Sequence, residues 1–271
     1  MHKEAFKEKV KRNVAQNFDQ SIRVYQEFEA RHGFFKALTL KLAEQIGMAD
    51  HAAVLDVGCG YGLSARVLAQ RYGCDVLGVD LSPKMIAAGR VFCEDTDIQL
   101  HVGDGENLSP VVGDRRFDYA LYNASIFIFP DVSRALDQSC ACLRPGGKIG
   151  FSFYPELLGD EDEDLFDLAF HRLGKSLPRF RTITGFAEAC DALSQRCQDI
   201  RRHNWTRPLD ISFLQVFFSI PAQSTSLFPG RDYEERRGLV MQLFATLEDR
   251  IGRGRIVWRM AAGTKSEIPV P

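Results

Sequence analysis

Val54-Leu55-Asp56-Val57-Gly58-Cys59-Gly60-Tyr61-Gly62 is the stretch that decides how this chain of 271 residues is read. A short apolar run ends in alternating glycines, and a helical stretch, Leu63 to Tyr72, follows directly. An apolar run without polar alternation is typical of a strand buried on both faces, as in parallel sheets. Glycine takes φ > 0 and leaves bare backbone for a ligand to approach. Working outward, strand Asp75–Asp80 leads to Ser82-Pro83, an N-cap and N1 proline for a helix to about Cys93. Strands Ile98–Val102 and Phe117–Tyr122 come next. A helix from about Val132 to Leu143 and the Pro145-Gly146-Gly147 turn then lead to strand Lys148–Phe153. Two late strands, near Ile200–Trp205 and Arg255–Ala261, bring the number to seven. This alternation predicts a doubly wound, mostly parallel α/β sheet.

Flanking stretches lack the β/α rhythm. Phe6, Val10, Val14, Phe18, Ile22 and Tyr25 recur at helical spacing, with a break expected near Asn17, and Phe34–Ile46 is a second helix ended by Gly47. After Pro155 the pattern predicts helices opening at the acidic run 160–164, at Thr184, at Asp210 and near Tyr233. The expected organisation is an N-terminal helical cap (1–48), a core (49–155), and a helical lid with the last two strands (156–271).

Composition excludes several classes. Apolar residues make up 45% and charged residues 26%, with a net charge of −2. That balance supports a packed core and gives no electrostatic reason to bind nucleic acid. The seven cysteines are scattered, and Cys140-Ala141-Cys142 is not a zinc or thioredoxin spacing, so no metal site is expected. No signal peptide or spanning segment is read from the sequence, and the expectation is a cytoplasmic protein with reduced thiols.

The chemistry of the turn narrows further. A dinucleotide site uses G-x-G-x-x-G to present helix N–H groups to a pyrophosphate. Here the glycines stand at 58, 60 and 62, position 63 is Leu, and Asp56 sits at the entrance. A carboxylate there repels a pyrophosphate and suits a cationic ligand, such as the amino-acid end of S-adenosyl-L-methionine.

With this motif and those after it, the chain resembles the class I S-adenosylmethionine-dependent methyltransferases, which have a Rossmann-like fold. Five segments correspond in order: Val54–Gly62, Val76–Asp80, Gly103–Leu108, Phe117–Ala120 and Leu143–Lys148. The resemblance spans about residues 50–155. It implies that Asp56, Gly58, Cys59 and Gly60 shape the methionine pocket and that Asp80 accepts the ribose hydroxyls. Leu81 and Met85 would flank the adenine, with Asp104, Gly105 and Glu106 at its edge. Asn123 and Ala124 would lie near the sulfonium. Phe18-x-x-Ser21-x-x-x-Tyr25 is similar to the N-terminal helix of methyltransferases of biotin and quinone synthesis, which implies Tyr25 as a lid residue.

Methyl transfer needs alignment and exclusion of water, and a base only when the acceptor must lose a proton. Asn123-Ala124-Ser125-Ile126 is not the Pro-Pro turn of amino-group methylation on adenine or glutamine, and no Pro-Cys dipeptide serves cytosine C5 chemistry. A small molecule or acyl-type acceptor remains, without nucleic acid or membrane as partner, and with a homodimer left open. No catalytic group is fixed by the sequence. Tyr25, Tyr154 and His203 are the candidates, with Glu156 as a further candidate base. Arg181 is one of several arginines able to hold a substrate anion. Two other readings stand beside this one: a non-catalytic S-adenosylmethionine-binding protein, and a nicotinamide-dependent dehydrogenase.

Overall fold

The computed structural model describes residues 2–178 and 181–266. Helices α1 (His2–Asp19), α2 (Ile22–His32) and α3 (Phe34–Ile46) precede β1 (Ala53–Val57) and α4 (Leu63–Tyr72). Next come β2 (Asp75–Asp80), α5 (Pro83–Phe92), β3 (Gln99–Val102), α6 (Ser109–Val112), β4 (Phe117–Tyr122), α7 (Val132–Cys142) and β5 (Leu143–Ser152). The remainder is β6 (Glu156–Leu158), α8 (Leu165–Arg172), α9 (Phe186–Ser194), β7 (Cys197–Pro208), α10 (Ile211–Phe218), α11 (Pro221–Leu227), α12 (Tyr233–Ala245) and β8 (Arg255–Lys265).

The sheet runs β3-β2-β1-β4-β5-β8, with all pairs parallel up to β5. It has eight strands against the seven expected, and the register explains the difference. β5 pairs with residues 260–264 of β8 and β6 with residues 255–257, while β7 runs along β8 from 255 to 265. β6 therefore continues β5 along the same edge of β8 after an interruption at 153–155, where Phe153 N–H still donates to Arg259 O at 2.8 Å. Seven strand positions result, with β8 antiparallel to both neighbours.

Alternate residues of a strand face opposite sides of the sheet, and β5 shows the layers. A Cβ on Gly150 would meet Ile46 of α3 at 2.9 Å. Phe151 instead packs edge-on against Phe186 of α9. Helices thus cover both faces, as two-sided burial of the strands requires.

The first helical stretch breaks at residues 20–21, just after the expected place. Ser21 Oγ donates to Asn17 O at 2.7 Å and accepts Ala222 N–H at 3.0 Å, so α11 braces the break. Glu29 is buried and accepts Phe35 N–H at 2.8 Å and Lys36 N–H at 3.1 Å, satisfying donors left open at the start of α3. α10 docks on this corner, where Phe213 and Phe217 meet Phe28 and Phe34, and Phe34 also meets Trp258.

Some boundaries differ from expectation. Thr184 does not cap α9; Gly185 holds that position, and Thr184 Oγ1 donates to Phe129 O at 3.0 Å. The helix from Tyr233 ends at Ala245, with a separate 3-10 turn at Glu248–Arg250. Asp210 is the expected cap of α10, its Oδ1 accepting Phe213 N–H at 3.0 Å. Asp210→Ala leaves that donor open and is expected to cost about 1 kcal/mol, read as a lower urea midpoint with an unchanged m-value.

Candidate active site

The carboxyl ends of β1, β2 and β4 open into one cleft of about 990 Å³, counting its mouth. Open α/β sheets bind ligands there, because the strand order reverses and the loops part. In β1, Val54, Leu55 and Val57 are fully buried and deliver the glycine turn to the rim. Gly58 and Cys59 N–H groups both donate to Val79 O, at 2.8 and 3.1 Å, folding the turn over the end of β2.

Two glycines of the turn are required for different reasons. Gly58 has φ +75°, and a Cβ there would stand 2.5 Å from Ser125 Cβ. Ser125 is itself fixed by its Oγ donating to Val57 O at 2.7 Å. Gly60 has φ +54°, and a Cβ there would meet nothing within 4 Å. Gly60 thus presents bare backbone to open space, and its N–H is fastened to Asp80 Oδ2 at 2.9 Å. Asp80 Oδ1 accepts Ser82 N–H at 2.8 Å, so two backbone donors orient this carboxylate on the cleft wall. Burial nevertheless pushes the Asp80 carboxyl up from its ordinary value, against these two bonds.

Asp56 lies under the turn, outside the cleft lining and with 1% of its surface exposed, and neither carboxylate oxygen has a partner. Burial first, and then the Asp80 charge, raise it to about 7. A buried polar group without a partner is costly, and an orphaned carboxylate beneath a ligand turn marks a place where a cation is wanted. Cys59 lines the cleft with its thiol pushed up by burial, so it stays neutral.

On the nucleoside side, Leu81, Met85, Asp104 and Gly105 line the cleft. Asp104 Oδ1 accepts Glu106 N–H at 2.8 Å, and its Oδ2 accepts Lys11 Nζ at 2.7 Å. Glu106 is outside the lining; it is buried, accepts Asp131 N–H at 2.7 Å and pairs with Lys11 at 2.8 Å.

Asn123 and Ala124 follow β4 into the cleft wall, but the Asn123 side chain is consumed in the structure. Its Nδ2 donates to Thr39 Oγ1 at 2.8 Å and Ser64 Oγ at 3.1 Å, and its Oδ1 accepts Ser152 Oγ at 2.8 Å. Ser152 Oγ also accepts Ala124 N–H at 2.8 Å, holding Ala124 at φ +56°. This network shapes the floor of the cleft.

The three candidate catalytic residues separate. Tyr25 lines the cleft, and its OH accepts Gln223 Nε2 at 3.2 Å. Burial pushes its phenol far up, so it remains a neutral donor and not a base. Tyr154 is outside the lining; its OH meets Ser226 Oγ at 3.0 Å, and burial raises it to about 12. His203 sits on β7 opposite Met260, also outside the lining. Glu156, a further candidate, is spent on Arg259 at 2.7 Å, and Arg181 pairs with Asp164 at 3.2 Å. Phe129 is in the lining, whereas Phe127, Phe151, Phe153, Phe213, Phe217 and Phe218 are packed outside it. Sequence reasoning missed Lys11, Phe35 and Tyr61. Lys11, Val14, Ala15 and Phe18 share one helical face, and that spacing was the available signal. Among the described residues no cluster of metal-ligating side chains is present, and no helix is long and apolar enough to cross a membrane.

A doubly wound sheet with one antiparallel strand, a glycine turn after β1 and an acid ending β2 define the class I methyltransferase architecture. Residues 55–151 match the methyltransferase domain family. The aklanonic acid methyltransferase DauC of Streptomyces sp. (strain C5) is 31% identical over 147 residues, 52% of this chain and 65% of that protein. The magnesium-protoporphyrin O-methyltransferase of Rhodobacter capsulatus is 34% identical over 152 residues, 54% of this chain and 62% of that one. The chain thus spans less than two thirds of the length of these relatives. Among solved structures, the [4+2]-cyclase SpnF superposes with a TM-score of 0.61 at 17% identity, over 94% of this chain and 97% of that one. Geranyl diphosphate C-methyltransferase from Streptomyces coelicolor A3(2) gives 0.58 at 13% identity, over 95% and 98%. These likenesses show the fold. Residues 55–151 carry a methyltransferase domain.

Proposed function

We propose that the protein is a methyltransferase that takes S-adenosyl-L-methionine and methylates a small molecule or acyl-type acceptor by in-line transfer. The observation that carries the reading is Asp80, a carboxylate held by Gly60 and Ser82 N–H groups at the cleft wall beside the open face of Gly60. The residues fit the donor at both ends. Asp80 accepts the ribose hydroxyls, Leu81 and Met85 flank the base, Asp104 meets its edge, and Asp56, buried behind the turn, sets its charge beneath the ammonium of the amino-acid end. When bound, the donor supplies a methyl group already activated on a sulfonium. The chain's own work is to align the acceptor and exclude water, which Val14, Phe18, Phe35, Ile128 and Phe129 do as apolar walls. These walls support an acceptor with an apolar body. The acidic cleft and the balanced charge of the chain argue against nucleic acid, and the seven free thiols suit a cytoplasmic setting.

Titration calorimetry with S-adenosylmethionine and S-adenosylhomocysteine is expected to give micromolar or tighter binding of both. No heat with either ends the reading. Because one fold hosts unrelated reactions, binding without turnover across apolar acids, phenols and amines would favour a non-catalytic role.

A further inference from the structure

Helix α1 lies over the cleft, yet none of its side chains from Glu4 to Asp19 is fully buried. It contributes Lys11, Val14, Ala15 and Phe18 to the lining, so apolar contact alone holds it weakly. Charge adds to its contacts with α5 and α11. Lys7 Nζ reaches Asp131 at 2.6 Å, and Lys11 Nζ reaches Asp104 at 2.7 Å and Glu106 at 2.8 Å, with Glu8 of the same helix at 3.9 Å. At the other end of α1, Asp19 accepts from Ser82 Oγ at 2.5 Å and Lys84 N–H at 3.4 Å. The Lys11 and Glu106 side chains are only 11% and 2% exposed, so that pair is shielded from water, whereas Asp104 and Asp131 are more open at 27% and 28%. Salt therefore reaches the Lys7–Asp131 and Lys11–Asp104 pairs more readily than the Lys11–Glu106 pair.

Lys11 is the only cation among the described residues lining the cleft. It stands between two neighbouring carboxylates that would otherwise repel each other. One of them, Asp104, is at the nucleoside end. We propose that Lys11 is a positioning residue of the cofactor cleft and, with Lys7, an ionic latch that seats α1 over the nucleoside, so that nucleoside exchange is limited by breaking these pairs. This rests on the methyltransferase reading for the identity of the nucleoside, but the latch itself does not. While the latch holds, Lys11 fixes Asp104 Oδ2 and α1 closes the mouth. When it breaks, α1 keeps its half-buried contacts with α5 and α11 and the Asp19 bonds at its far end. Helix stability in proteins comes mostly from tertiary packing, so the unlatched end of α1 also frays.

The test uses the full chain with Lys11→Met and Lys11→Arg. Hydrogen–deuterium exchange of the α1 amides is expected to speed up about tenfold in Lys11→Met, with the β1, β4 and β5 amides unchanged, and to return towards the parent in Lys11→Arg. Dissociation of S-adenosylhomocysteine, followed by surface plasmon resonance, is expected to be about tenfold faster in Lys11→Met. Raising NaCl from 0.05 to 0.5 M should speed it in the parent and less so in that variant, which keeps only the Lys7–Asp131 pair. Unchanged α1 exchange in Lys11→Met overturns the latch. Faster α1 exchange with unchanged dissociation overturns its control of exchange. Failure of the parent to bind S-adenosylhomocysteine counts against the methyltransferase reading and the gating with it, while α1 exchange still decides the latch.

Discussion

Asp80→Ala is expected to weaken S-adenosylhomocysteine binding by 10²- to 10³-fold, about 3–4 kcal/mol. The side chain is held by Gly60 N–H at 2.9 Å and Ser82 N–H at 2.8 Å, so its free lone pairs are aimed before a ligand arrives. Hydrogen bonds to a charged group contribute about 1.5–3 kcal/mol each, and two ribose hydroxyls are at stake. Folding should suffer less. Two backbone donors lose their acceptor, but a carboxyl that burial already disfavours, and that repels Asp56, is removed as well. Asp80→Asn keeps an acceptor for the backbone and removes the charge, so it separates binding from folding. Isothermal titration beside a thermal melt reads both quantities. Parent-like affinity in Asp80→Ala would refute the assignment of the ribose site.

The second large effect concerns Asp56 and pH. Its carboxyl is raised from an ordinary 3.8 to about 7 by burial, and then by Asp80. Between pH 4 and 7 the folded ligand-free protein therefore keeps a proton that the unfolded chain has released. By linkage, the stability this group contributes is complete below pH 4 and is lost as pH rises through 7. At 1.36 kcal/mol per pKa unit, the loss is at most about 4 kcal/mol. Asp56→Asn abolishes that slope, so urea midpoints of parent and variant should differ least below pH 4, move apart between pH 4 and 7, and keep a constant offset above 7, with the variant gaining. Binding has the opposite sign. A cationic amino-acid end wants the ionised carboxylate, so S-adenosylmethionine affinity in the parent should rise about tenfold per unit from pH 5.5 to 7. Asp56→Asn should be flat over that range and at least tenfold weaker at pH 7. A parent whose affinity does not change from pH 5.5 to 7 would remove Asp56 from the site.

Much of the fold was legible because its signals are contiguous. The glycine turn, the strand before it and the helix after it fall within Val54–Tyr72, and Ser82-Pro83 caps α5 as its residue types require. Asp80 could be chosen from its place at the end of an apolar strand. Other features had no local signal. α11 reads Pro-Ala-Gln-Ser-Thr-Ser-Leu, without an apolar period, and it exists as a brace between Ser21 and Tyr25. Asn123 was expected near the reacting centre, yet its side chain is tied up by Thr39, Ser64 and Ser152, which come from three other elements. Tyr154 and His203 were offered as candidates, and neither is in the cleft lining.

What the sequence by itself determined is the β/α alternation from β1 to β5, the glycine turn after β1 and the acid that ends β2, since each depends on residues within a few positions of one another. The tertiary structure alone decided that β6 prolongs β5 and that a lysine of the first helix meets carboxylates 93 and 95 positions away. It also decided that one buried acid lacks a partner. Hydrogen bonds, burial and charge depend on distance through space, and the chain sets that distance only after it has folded.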